Sequence, residues 1–169
     1  MNKLSDKDVA QYFRRSYTAV DGLWFMKMEE RHGFEEALAV DCAVWKVLPK
    51  IQARTLKTIT GMESGIEALI HCFTAKLDME GFRYSLTRGN GLSFTVTITG
   101  CPWREALVRS DRLNVAGQIG NHICRNEYAV WAGEFDCPVE FSMRSLMCDG
   151  SECCSLEFRE RKENTGTES

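Results

Sequence analysis

The sequence predicts an α+β fold, with N-terminal helices packed with further helices on a four-stranded, mostly antiparallel sheet made of two hairpins. Three observations carry this expectation. Apolar residues recur at helical spacing from Val9 to Leu77, and the period drops to two at Phe82 and again at Val139. Each alternating stretch is also broken by a glycine-bearing turn, Gly89-Asn90-Gly91 in the first and Asp149-Gly150 in the second.

The first helix runs from Asp6 to about Arg31, because Val9, Phe13, Val20, Leu23 and Met28 recur on one side with Arg14, Arg15, Lys27 and Glu30 between them. Ser5 and Asp6 suit its N-cap, where a short side-chain oxygen accepts from the free amides of the first turn. His32-Gly33 suits its end. A second helix is expected from Phe34 towards Thr60, kinked at Pro49, which removes one amide donor. Phe34, Leu38, Trp45, Leu48, Ile51 and Leu56 are its candidates for burial. A third, from Glu63 to about Leu77, carries Ile66, Ile70, Phe73 and Leu77 as a stripe.

Phe82-Tyr84-Leu86 and Leu92-Phe94-Val96-Ile98 then alternate with polar residues, giving two half-buried strands around a turn that supplies positive φ. Cys101-Pro102 opens a short helix, since proline fits the first helical turn, where its missing donor goes unneeded. Another helix spans roughly Asn114 to Trp131. Val139-Phe141-Met143 and Cys154-Leu156-Phe158 form the second hairpin. We expect one domain over residues 1–160, helical over 5–80 and sheet-forming and cysteine-rich over 81–160, with a flexible tail at 161–169.

A net charge of -3 offers no general electrostatic reason to bind nucleic acid, which needs clustered cations. No apolar run is long enough to span a membrane, and the acidic turn at Ser5-Asp6 replaces the apolar core of an export signal. A cytoplasmic location follows as the expectation. Eight irregularly spaced cysteines then read as free thiols in a reducing compartment rather than as a disulfide framework.

Cys101 stands at the N-cap of the Pro102 helix, beside unpaired amides and the positive end of the helix dipole, a position that lowers a thiol pKa. The plainer reading is a small hydrophobe filling a strand-to-helix corner. Cys124 and Glu127 project from one side of the later helix, with Gly117 and Gly120 leaving room for a close neighbour. A partly buried Glu127 could serve as a general acid or base, whereas a glutamate on a helix is more often solvated. Cys101, Cys124, Cys148 and Cys154 form the alternative thiolate set, for which zinc is the fitting metal, although the paired CxxC spacing of zinc sites is missing. Asp21 and Trp24 on the first helix, Trp45 on the second, and Gly120 and Trp131 on the later helix are the candidates for a ligand pocket. Hydrolase elbows, phosphate loops and dinucleotide fingerprints are all missing.

Cys101-Pro102, the Gly117-to-Cys124 helix, Pro138 to Phe141, and Leu146 to Gly150 closing on Cys154 to Phe158 occur in series. This order resembles the L-2-amino-thiazoline-4-carboxylic acid hydrolase family. The runs Tyr12 to Arg15 and Asp21 to Phe25 resemble an uncharacterised bacterial and archaeal cytosolic protein family related to that hydrolase. The closing hairpin is distantly similar to 4-vinyl reductase-type ligand-binding domains. The hydrolase resemblance covers Cys101 to Phe158, places Cys101, Cys124, Cys148 and Cys154 on its cysteines, and sets Asn126-Glu127 where an acidic residue follows the helix cysteine. It implies addition of water at a carbon-nitrogen bond of a small compound, with Cys124, Glu127 and Cys101 as catalytic candidates. The alternatives are a non-catalytic small-ligand sensor and a thiolate metal protein. A homodimer is compatible with the long amphipathic helices.

Overall fold

The computed structural model describes residues 3–161; most of the expected tail, 162–169, lies outside the described residues. Among the described residues six α-helices, four strands and one 3₁₀ turn follow in the order α1 (Asp6–His32), α2 (Phe34–Val44), α3 (Leu48–Thr60), α4 (Ile66–Glu80), β1 (Arg83–Arg88), β2 (Phe94–Gly100), α5 (Pro102–Arg109), α6 (Leu113–Gly133), β3 (Val139–Ser145), the turn Met147–Asp149, and β4 (Cys154–Glu160). All strand pairs are antiparallel, in the spatial order β1-β2-β4-β3, so the fold is α+β as expected.

Local chemistry sets the boundaries. Ser5 caps α1 reciprocally, its hydroxyl accepting from the Asp8 amide at 3.2 Å while the Asp8 carboxylate accepts from the Ser5 amide at 3.0 Å. The single kinked helix expected over Phe34 to Thr60 is two helices. The chain leaves α2 at Val44 and re-enters helix at Leu48, with Pro49 in the first turn of α3. Proline lacks an amide there at no cost, whereas mid-helix it would orphan a carbonyl. It therefore begins a helix instead of bending one.

The sheet is two hairpins joined through β2 and β4, whose register puts Phe94 opposite Phe158, Val96 opposite Leu156 and Ile98 opposite Cys154. These residues are buried on one face, against α4 and α6. Phe73 of α4 meets Tyr128, Trp131 and Phe158 edge-on with ring centroids 5.5–5.6 Å apart, which makes it the hub of the core. The opposite face carries Thr95, Thr97, Ser155 and Glu157 and is only partly covered.

Helix α1 departs from expectation in which side it buries. The periodic set Val9, Phe13, Val20 and Leu23 faces outward, 40–67% exposed. Phe25 is buried instead, in a small cluster with Ala37 and Leu38, flanked by Met28, Phe34 and Ile119. The helix has two apolar faces, and the sequence pattern belongs to the outer one.

Candidate functional site

Four helices bring a polar chain into the apolar interior. Lys76 of α4, only 2% exposed, ion-pairs with Glu127 of α6 and lies 3.0 Å from Glu80 one turn along its own helix. Its ammonium also sits 5.3 Å above the Phe82 ring and 5.6 Å above Tyr128. Gln52 of α3 donates to Glu80 at 3.1 Å and to the Tyr17 hydroxyl of α1 at 3.4 Å. Tyr17 in turn meets Trp103 edge-on, and Trp103 meets Trp45.

The electrostatics follow from one cation shared by two carboxylates. Burial opposes the charge on Lys76, but Glu127 and Glu80 more than compensate and hold the ammonium protonated well above its ordinary range. Burial raises the Glu127 carboxyl, an effect that the Lys76 charge opposes and Glu80 reinforces. Burial and the two glutamates push the Tyr17 hydroxyl up as well, so it stays protonated. Beside this chain, burial lifts Asp21 to about 6 and Asp41 to about 7, each partly offset by the Trp45 indole, with the Asp21 charge adding to the rise at Asp41.

The network opens onto a cleft. Helix α1, the end of α4 and α5 enclose about 810 Å³ lined by Arg14, Arg15, Thr18, Glu80, Glu105 and Arg109, among others. Both carboxylates of this wall are engaged outside it, Glu80 with Lys76 and Glu105 with Arg83 at 3.2 Å. Arg14, Arg15 and Arg109 form no ion pair among the described residues. Gly81, at φ +83°, seats the half-buried Arg14, since a Cβ there would collide with the guanidinium. A smaller hollow of about 110 Å³ adjoins it, where Asp21 and Trp103 share the wall with Thr18 and Gly22.

Against this geometry the expected residues divide. Asp21 lines the small hollow, and Trp45, 3% exposed, supports it from behind through Trp103. Trp24 is 59% exposed on the outer face of α1, and Trp131 is wholly buried in the core beside Phe73 and Phe135, so neither lines either cavity. Gly120 leaves no room for a ligand, because a Cβ there would fall 2.9 Å from Cys148 Cβ; the turn between β3 and β4 already fills that space. Glu127 is buried at 4% exposure rather than solvated.

Charge on Cys154 would raise the thiols of Cys101, Cys124 and Cys148. At Cys101 burial works against activation by the N-cap position. Its sulfur accepts from the Arg104 amide at a long 3.5 Å, and burial outweighs that help, pushing the thiol up to about 12. Burial likewise raises Cys124 strongly and Cys148 to about 11. These sulfurs are neutral thiols at physiological pH. None of the four lines the cleft, and among the described residues no group of three or more His, Cys, Asp or Glu is arranged to hold a metal ion.

Sequence reasoning missed Lys76, Glu80, Gln52, Tyr17 and the unpaired arginines as site residues. One signal was available for the first two. Lys76 falls three residues after Phe73 and Glu80 three after Leu77, so both ride on the buried stripe of α4, where charge needs a partner.

A protein-family model described as a family of unknown function (DUF6125) matches residues 3–157. No curated protein and no solved structure matches the chain.

Proposed function

The chain belongs to the family of unknown function DUF6125, and from that premise we propose that it binds a small anionic molecule in the cleft between α1 and α5. The observation that carries this reading is a set of three arginines that form no ion pair among the described residues and line a cavity whose own glutamates are tied up elsewhere. Guanidinium groups suit planar anions such as carboxylates, and a volume near 810 Å³ lies in the range of small-molecule sites. Eight unbridged cysteines suit a reducing compartment such as the cytosol.

A second reading, hydrolase-like chemistry on a small carbon-nitrogen compound, is favoured by Glu127. Its raised carboxyl lies beside Cys124 and connects through Lys76 to Glu80 on the cleft wall. Proton exchange along that path would serve acid-base chemistry without a thiolate. Glu127→Gln separates the two readings: a binding protein keeps its ligand affinity, while an enzyme keeps binding and loses turnover.

The cleft is tested by thermal stabilisation with small carboxylates, phosphate and sulfate against their neutral amide or ester counterparts. A ligand at a hundred times its Kd adds about 2.7 kcal/mol, or roughly 5–10 °C in Tm for a chain of this size. We expect that shift from an anion, and its loss in Arg14→Gln and Arg109→Gln. Equal stabilisation by neutral counterparts, or shifts indifferent to both substitutions, would remove the proposal.

A further inference from the structure

Resting on the anion reading above, we infer that the ligand is a monocarboxylate with an uncharged apolar arm of about four carbons, which fills the smaller hollow beside Trp103. Thr18, Gly22 and Met26, at four-residue steps on α1, line both cavities, and so do Ala106 and Ser110 across from them at the end of α5. The two spaces therefore meet along one opening. Arg14, Arg15 and Arg109 lie on its cleft side, and Phe25, Trp103, Leu107 and Ile119 on its hollow side. A ligand that spans the opening puts its charge and its hydrocarbon in separate places. A cavity of roughly 150 Å³ holds the six carbons of benzene, so the hollow of about 110 Å³ takes about four.

Gly22 keeps that opening clear. Glycine costs a helix interior more than any residue but proline, and inside α6 its use has a local reason. A Cβ at Gly117 would fall 2.8 Å from Asp149 Oδ1, and one at Gly120 2.9 Å from Cys148 Cβ. Among the described residues a Cβ at Gly22 would meet nothing within 4 Å. Packing within the chain does not call for glycine there, whereas an arm passing between α1 and α5 does. The charged groups on the hollow wall have partners of their own. Arg112 pairs with Glu29 at 2.6 Å and lies over the Phe25 ring, and Asp21 has the Trp45 indole for a donor. What remains for a ligand is apolar surface, and Asp21 repels a second carboxylate at that end.

Calorimetric titration of the full chain at pH 7.5 with straight carboxylates from acetate to decanoate tests this. We expect affinity to climb about fourfold per carbon over a window of about four carbons, roughly 200-fold in all, and then to level off. Octanol, which has the arm without the charge, and octanedioate, which has a second carboxylate, should each bind about tenfold more weakly than octanoate, or worse. Gly22→Leu, and separately Ala106→Leu from the facing wall, should flatten the climb with the unliganded Tm kept, since leucine suits a helix better than glycine. One affinity shared by acetate and decanoate would overturn the arm and leave the anion reading standing, whereas no binding by any carboxylate would remove both. A climb that persists in both leucine variants would take the arm out of the hollow. Tighter binding by octanoate bearing a terminal amine than by octanoate itself would refute an uncharged arm.

Discussion

Replacing Lys76 by methionine isolates what the buried ammonium does. The side chain is 2% exposed and faces Glu127 and Glu80, so Lys76→Met leaves two carboxylates sharing an interior without a cation. Removing one partner of a buried pair costs about 3–5 kcal/mol, a large fraction of the 5–15 kcal/mol that holds a typical domain folded. For a chain of this length that corresponds to a Tm lower by roughly 10 °C. The loss should be largest at pH 8 and shrink towards pH 5. The Glu127 carboxyl titrates above its ordinary 4.5 in the folded state, so the native protein takes up that proton first and stability falls as pH climbs past the unfolded value. Urea unfolding at both pH values measures this. Lys76→Met with Glu127→Leu should recover part of the loss, because the more deeply buried of the two uncompensated charges goes and Glu80 keeps Gln52 as a donor. A single variant as stable as wild type at pH 8 would refute the view that this cation holds α4 and α6 together.

Asp41, 8% exposed and lifted to about 7, should destabilise the fold as pH rises from 4 to 8. Asp41→Asn should therefore add stability at pH 8, up to about 4 kcal/mol, and almost none at pH 4. Thermal melts across that range check the sign, and a variant stabilised equally at both ends would contradict it. Because burial holds Cys101 up to about 12 and Cys124 higher than ordinary, both should alkylate at least a hundredfold more slowly in the native protein than in urea at pH 7.5. Mass spectrometry after iodoacetamide pulses reads this directly; rapid native labelling of Cys101 would restore the case for a reactive thiol.

Both hairpins were legible because alternation and turn glycines are local signals. Phe94, Val96 and Ile98 read as a buried face from the sequence, and they are one. The seam between β2 and β4 was not legible, since pairing Phe94 with Phe158 is a tertiary choice. Helix α1 shows how a periodic stripe can be read correctly and still lie exposed. Val9, Phe13, Val20 and Leu23 do form a stripe, but the spacing of apolar residues does not say which face the rest of the fold will cover. The site failed to emerge for a related reason. Gln52, Lys76 and Glu127 lie on three different helices, so their meeting depends on packing that no spacing encodes. For Cys101 the helix terminus is visible in sequence and the enclosure of its sulfur is not, so the activated and the space-filling thiol could not be told apart there.

The two outermost strands carry a consequence for assembly. Exposed Arg83 and Arg88 sit on β1, and exposed Glu140 and Arg144 on β3, so each rim of the sheet presents ionic side chains to solvent. A strand arriving from elsewhere would have to strip water from those charges before its amides found partners. Both rims of the sheet are thereby guarded against lateral growth by added strands.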